Sequence, residues 1–248
     1  MQNLPIIKIV IPTRLHSTRL PGKPIMPSQK GTPHIVNLLN CLTTWMNYKN
    51  CYVATDSELI QFVVSEAGFQ SIFTPHASNG TERVAMAVCN SEGLEADWTL
   101  NIQGDLVCVN DGIGIQILNG ICAADEAGAD YVTFASSKEY SKESLGDQSS
   151  VWVAVDPANQ IALDFGRAPI TARRNNLRYH SHIGIYAYKA EVLSRYLLMA
   201  ESDREKSLLL EQMRFVDNGI YPFISYLDEM PIEINTEQDQ INRLRMGL

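Results

Sequence analysis

Between residues 6 and 136 short apolar runs alternate with helical patterns, and this alternation constrains the fold more than any other feature of the chain. The runs at 6–12 (IIKIVIP), 51–54, 70–73, 98–102 and 131–135 read as strands. The stretches 33–46, 58–67, 80–91 and 113–127 read as helices. Pro33 stands near the start of the first, Asp56 or Ser57 caps the second, and Gly68 ends it. Strands joined through helices in this way form a mostly parallel sheet with helices on both faces. Ligands of such sheets sit beyond the carboxyl ends of the strands. The loop after Ile11, the turn at Thr55-Asp56 and the turn at Gln103-Gly104-Asp105 all fall there and are expected to meet at one site.

The first of these loops carries Arg14, Ser17, Thr18, Arg19 and Lys23, punctuated by Pro12, Pro21, Gly22 and Pro24. Arginine offers forked donors and lysine a point charge to phosphate oxygens. A backbone stiffened by proline and opened by glycine can hold such groups close to a ligand. A solvated basic turn is the plainer reading of the same composition. The chain as a whole carries a net charge of −8, so these cations stand against an acidic background and a general nucleic-acid-binding surface is excluded. No GxGxxG follows the first strand, which argues against a dinucleotide-dependent dehydrogenase.

After Ser136 the pattern changes. Residues 138–149 read as a polar loop, and 151–156 with 160–165 as a strand pair around a Pro157-Ala158-Asn159 turn. A basic segment at 167–178 leads to a strand at 182–188, helices at 191–200 and 203–217, short strands at 222–226 and 232–234, and a helix at 236–246 capped by Thr236. No flexible linker separates the halves, so residues 1–248 read as a single domain whose second half is a lobe returning to the first sheet. The cysteines at 41, 51, 89, 108 and 122 show no CxxC pair and are odd in number. They read as reduced core thiols, with neither a disulfide framework nor zinc expected. Without a signal-peptide pattern or a transmembrane-length apolar run, a cytoplasmic protein without membrane partners is expected.

Residues 11–25, IPTRLHSTRLPGKPI, closely resemble the signature loop of the CMP-KDO synthetases (3-deoxy-manno-octulosonate cytidylyltransferases). The resemblance continues through Val53-Ala54-Thr55-Asp56, Gly80-Thr81-Glu82-Arg83, Ile102-Gln103-Gly104-Asp105, Phe165-Gly166-Arg167-Ala168-Pro169-Ile170, His182–Tyr188 and Leu210-Glu211-Gln212-Met213-Arg214. It implies a Rossmann-like nucleotidyltransferase sheet with a smaller inserted β-rich lobe for acceptor binding and dimerisation. Residues 1–136 would form the CTP-binding half and 137–248 the acceptor-binding and dimerisation half. It further implies transfer of CMP from CTP to KDO or a related 2-ulosonic acid, for lipopolysaccharide or other surface-glycan synthesis, by a homodimer using Mg²⁺. The catalytic group would be Arg14, Arg19, Lys23 and Asp105. The nucleotide would meet Arg14, Ser17, Lys23, Thr55, Asp56, Thr81, Arg83 and Gln103. The acceptor would meet Arg167, His182, Tyr186, Glu211 and Gln212, and Asp105 with Asn235 would hold the metal. Independently of the resemblance, Arg83 in the first turn of a helix is opposed by the macrodipole and calls for an anionic or polar partner.

Several positions depart from the family pattern. Leu106-Val107 stand where it has Glu-Pro, and Asn79 where it has serine. Gly166, Thr171 and Ala172 replace serine, proline and tryptophan, and Asn235 replaces an aspartate. Glu233 shares the strand face of Asn235; it reads either as a substitute carboxylate or as a surface glutamate. These departures leave a weakly active or non-catalytic nucleotide-binding paralogue as the alternative.

Overall fold

The computed structural model describes residues 5–16, 20–145, 150–167, 170, 176–234 and 236–246. Its first half follows the alternation: β1 (Ile7–Thr13), α1 (His34–Leu42), β2 (Cys51–Thr55), α2 (Glu58–Glu66), β3 (Gln70–Phe73), α3 (Gly80–Asn90), β4 (Trp98–Ile102), α4 (Asp111–Glu126) and β5 (Tyr131–Tyr140). The second half adds β6 (Trp152–Asp156), β7 (Ile161–Gly166), β8 (Arg178–Tyr188), α5 (Ala190–Leu198), α6 (Asp203–Leu208), α7 (Met213–Asp217), β9 (Phe223–Leu227) and α8 (Glu237–Met246). The strands make one nine-stranded sheet in the order β3-β2-β1-β4-β8-β5-β9-β7-β6. β1 is parallel to β2 and β4, β2 to β3, and β5 to β9. β8 runs antiparallel between β4 and β5.

Successive residues of β1 explain why helices cover both faces. Ile9 and Ile11 point into a core shared with Leu38 and Leu39 of α1, Ile60 of α2 and Ile117 of α4. Val10, on the opposite face, packs with Val84 of α3, Leu193 of α5 and Phe215 of α7. A central strand buried on both sides is what a parallel sheet between helical layers requires. Asn110 and Ser57 cap α4 and α2 through their side chains, and Thr236 accepts from the Asp239 amide at the start of α8.

The second half differs from expectation in specific ways. β5 continues through Tyr140 instead of ending at residue 135, and β8 begins at Arg178. Their extra length pairs Tyr140 with Tyr179, while β6 pairs with β8 from Trp152↔Ser181 to Val155↔Arg178. The β6–β7 pair therefore extends the same sheet. The helix expected over 203–217 is broken: Leu209 adopts φ 55°, ψ 47°, which turns the chain between α6 and α7. The strand expected at 232–234 reduces to a bridge between Leu106 and Glu233.

The cysteine expectation is overturned. Cys41, in α1, is bonded to Cys108 beyond β4, with Cα atoms 5.8 Å apart. Packing of α1 against the segment after β4 brings the thiols together; Trp45 Nε1, for instance, donates to the Val109 carbonyl at 2.8 Å. Cys51, Cys89 and Cys122 are free, and burial pushes the Cys51 thiol up to about 12. Protein purified without reductant should therefore show three titratable thiols when denatured and five after reduction. Five without reductant would refute the bridge.

Candidate active site

A cleft of about 1240 Å³ opens at the carboxyl ends of β1 and β4 and is walled on its far side by β8 and the α6–α7 segment. Its floor is built by backbone economy. Gly22, at φ 74°, turns the first loop into a short 3₁₀ segment, Lys23–Ile25, so that Lys23 points inward and is 9% exposed. Lys23 Nζ donates to the Ile234 carbonyl at 2.6 Å and to Asp105 Oδ2 at 3.4 Å. The Ile234 amide in turn donates to the Asp105 carbonyl at 2.9 Å. Gly104 allows this approach, since a Cβ there would sit 2.8 Å from Thr13 Oγ1 and 3.0 Å from the Pro12 carbonyl. Buried His34 braces the same turn, its Nε2 lying 3.1 Å from the Gly104 carbonyl.

The roof over this floor is the start of α3. A Cβ on Gly80 would approach Gln103 Oε1 to 3.0 Å, so the helix end lies directly against that amide. Arg83 is buried, and its guanidinium donates to Asp56 Oδ2 and to Thr74 Oγ1, both at 2.7 Å. The anionic or polar partner expected from its position in the first turn is thus supplied within the chain, by Asp56 and Thr74 together. The Thr81 amide donates to Glu211 Oε2 at 3.0 Å, and its hydroxyl lies 2.9 Å from that of Tyr188. Burial raises the Glu211 carboxyl above its usual range, while the amides at the α3 start oppose that rise.

The far wall uses the period of β8. His182, Gly184 and Tyr186, at alternate positions, line the cleft. The Tyr186 hydroxyl donates to Gln212 Oε1 at 3.3 Å, and the Gln212 amide nitrogen, on a side chain 2% exposed, finds no partner among the described residues. His182 Nε2 lies 2.9 Å from Thr133 Oγ1, and burial lowers its pKa to about 3. It is therefore neutral at ordinary pH and serves as a hydrogen-bonding wall. The unfolded chain takes up a proton near pH 6.5 that the folded one refuses until about pH 3. His182 thus costs stability as pH falls through that window, by at most about 1.4 kcal/mol per pH unit. His182→Gln should flatten the acid limb of a stability–pH curve between these values; an unchanged slope would contradict the burial assigned here.

Of the residues nominated from sequence, Arg14, Lys23, Arg83, Gln103, Asp105, Arg167, His182, Tyr186, Glu211 and Gln212 line this cleft. Thr55, Asp56 and Thr81 stand behind it: Thr55 and Thr81 are buried, and Asp56 holds Arg83. Ser17, Arg19 and Asn235 lie outside the described residues, as do Thr171 and Ala172. Glu233 lines the cleft. Sequence reasoning missed His34, which has no local signal, and the structural part played by Asn79, which the sequence marked only as a departure from serine.

A mixed sheet whose parallel first strands deliver a cationic loop, with a carboxylate beyond β4 beside it and a polar wall opposite, is the arrangement of an α/β nucleotidyltransferase. The model of the cytidylyltransferase family matches residues 8–228, and the chain belongs to that family. It is 34% identical over 237 residues to the 3-deoxy-manno-octulosonate cytidylyltransferase of Chlorobium phaeovibrioides, covering 93% of each chain. It is 30% identical to that of Rickettsia prowazekii, covering 94% of this chain and 92% of the relative. A solved CMP:2-keto-3-deoxy-manno-octonic acid synthetase complexed with CTP superposes with a TM-score of 0.82 at 29% identity, covering 98% of both chains. A cytidylyltransferase from Leptospira borgpetersenii shares the fold, with a TM-score of 0.59 at 15% identity, covering 94% of this chain and 82% of that one.

Proposed function

We propose that this chain transfers CMP from CTP to 3-deoxy-manno-octulosonate or a closely related 2-ulosonic acid. The observation that carries the reading is the buried Lys23, joined to Asp105 at the floor of a cleft that Arg14 also lines. Such a floor suits a triphosphate, and the opposite wall, with Arg167 for a carboxylate and Tyr186, Glu211 and Gln212 for hydroxyls, suits a sugar acid. The sugar's 2-hydroxyl oxygen bonds to the α-phosphorus as the bond to the β-phosphate oxygen breaks. Pyrophosphate leaves and the hydroxyl proton passes to solvent. The chain contributes alignment and charge neutralisation: Lys23 and Arg14 on the phosphates, with Arg19 added by the family resemblance alone, Gln103 on the base or ribose, and Arg83, held by Asp56, beside the nucleotide.

The family resemblance implies Mg²⁺. Among the described residues no group of three or more His, Cys, Asp and Glu gathers for a metal. Mg²⁺ asks less, commonly one or two carboxylates with phosphate oxygens and water completing its shell. Asp105, with a side chain 30% exposed at the cleft floor, fits that demand, and Asn235 would add an amide oxygen. Bound there, the ion would supply charge neutralisation at the phosphates. No described helix is long and apolar enough to cross a membrane. A cytoplasmic homodimer feeding lipopolysaccharide or other surface-glycan synthesis completes the proposal.

The decisive assay incubates the protein with Mg²⁺, each of the four nucleoside triphosphates and a panel of 2-ulosonic acids, and measures pyrophosphate. Release with CTP and KDO is expected. CTP binding without release from any pair would replace the enzyme with a nucleotide-binding paralogue.

A further inference from the structure

Asn79 is the N-cap of α3, and its side chain does two things at once. Its Oδ1 accepts the Glu82 amide at 2.8 Å, closing the first turn. Its Nδ2 reaches away from the helix, to the Tyr196 hydroxyl at 2.8 Å and Glu205 Oε1 at 3.0 Å. Glu205 is 6% exposed and is gripped by Arg214, which is 4% exposed, through Nε–Oε2 at 2.8 Å and Nη2–Oε1 at 2.7 Å. The Arg214 guanidinium lies 4.3 Å from the centre of the Tyr196 ring, so the cluster is packed as well as paired. Asn79 and Glu205 themselves line the edge of the cleft, and Glu205 and Arg214 bracket the Leu209 turn and the cleft residues Glu211 and Gln212. The start of α3 lies against Gln103.

We propose that Asn79 and Glu205 are positioning residues that fasten the nucleotide-facing start of α3 to the acceptor-facing α6–α7 segment, so that the two halves of the cleft hold their places together. This rests on the assignment of residues 80–83 to the nucleotide side. A serine at 79 could cap Glu82, but its single short hydroxyl could not also reach Glu205 and Tyr196. The Thr81 amide also ties this helix start to Glu211 at 3.0 Å, and the second link, through Glu205 and Tyr196, is a property of this chain's asparagine. It is built where it can act: a buried bidentate ion pair resists displacement, and the asparagine amide transmits that fixity to a helix end in contact with Gln103.

The test is calorimetric binding of CTP, without acceptor, to the wild type, Asn79→Ser, Glu205→Met and the double variant, with Tm measured alongside. Asn79→Ser keeps the cap and should leave Tm within a few degrees while raising the CTP Kd roughly tenfold, because an untethered helix start must then be ordered when CTP arrives. Glu205→Met, on the acceptor side, removes the oxygen that accepts from Asn79 and should weaken CTP binding by a similar factor. The double variant should be about as weak as either single one, because both break one link. Effects that multiply to roughly a hundredfold, or a CTP Kd unmoved in Asn79→Ser, overturn the link. Should Glu205→Met fail to fold, Asn79→Ser alone decides. Wild-type protein that binds no CTP overturns the proposed function and this inference together; wild-type binding with unchanged variants overturns the inference alone.

Discussion

Lys23→Ala is expected to lower kcat/KM for CTP by roughly 10²–10³-fold, the scale on which loss of one preorganised charge-stabilising donor is felt. The size follows from where the ammonium sits. Lys23 is only 9% exposed and already anchored at 2.6 Å to the Ile234 carbonyl, so it pays no ordering cost when phosphate arrives. Its removal leaves that carbonyl and the Asp105 carboxylate facing the cleft without a cation between them. Lys23→Arg should not restore activity, because a planar fork does not fit a slot shaped for a single ammonium. Pyrophosphate release against CTP concentration checks both variants. Unchanged kcat/KM in Lys23→Ala would remove the phosphate clamp from the first loop.

Asp105→Asn should be nearly as damaging, with turnover reduced about 10²–10³-fold and half-maximal activity moved to higher Mg²⁺ concentration. The change keeps the shape and removes the charge. The main-chain tie between Ile234 and residue 105 does not depend on the side chain, so Tm should hardly move. Activity and Mg²⁺ dependence that both match the wild type would place the metal elsewhere, with Glu233, on the same cleft, the next carboxylate to replace.

The first half of the fold was legible because its information is local. Alternating apolar runs placed β2, β3 and β4 to within a residue, and the cap at Ser57 and the glycine at 68 bounded α2. The cleft floor was legible for a related reason, since Lys23, Gln103 and Asp105 sit in short contiguous motifs. What escaped depends on distant contacts. The Cys41–Cys108 pair spans 67 residues, and no spacing rule links its halves. The break at Leu209 carries no glycine or proline, because the left-handed turn falls on an ordinary residue within a run that reads as helix. The outer part of β5, through Lys138 to Tyr140, is mostly exposed and polar, so burial did not mark it as a strand. Arg83 was expected to need an anionic or polar partner, but finding one of each in Asp56 and Thr74 required the fold.

The reversed strand β8 also bears on how the polypeptide emerges during synthesis. β1 through β4 can pair as soon as residue 102 is free of the ribosome, yet Thr99 to Ile102 find their other partners only at Ile185 to Tyr188. Until then the middle of the future sheet is an open edge, with a ready template for pairing to a second nascent chain. Translation must run past Tyr188 before that edge is closed, and the same late strand brings His182 and Tyr186 to the cleft. Chains interrupted before residue 178 should therefore aggregate, whereas an interruption after β9 leaves the sheet complete.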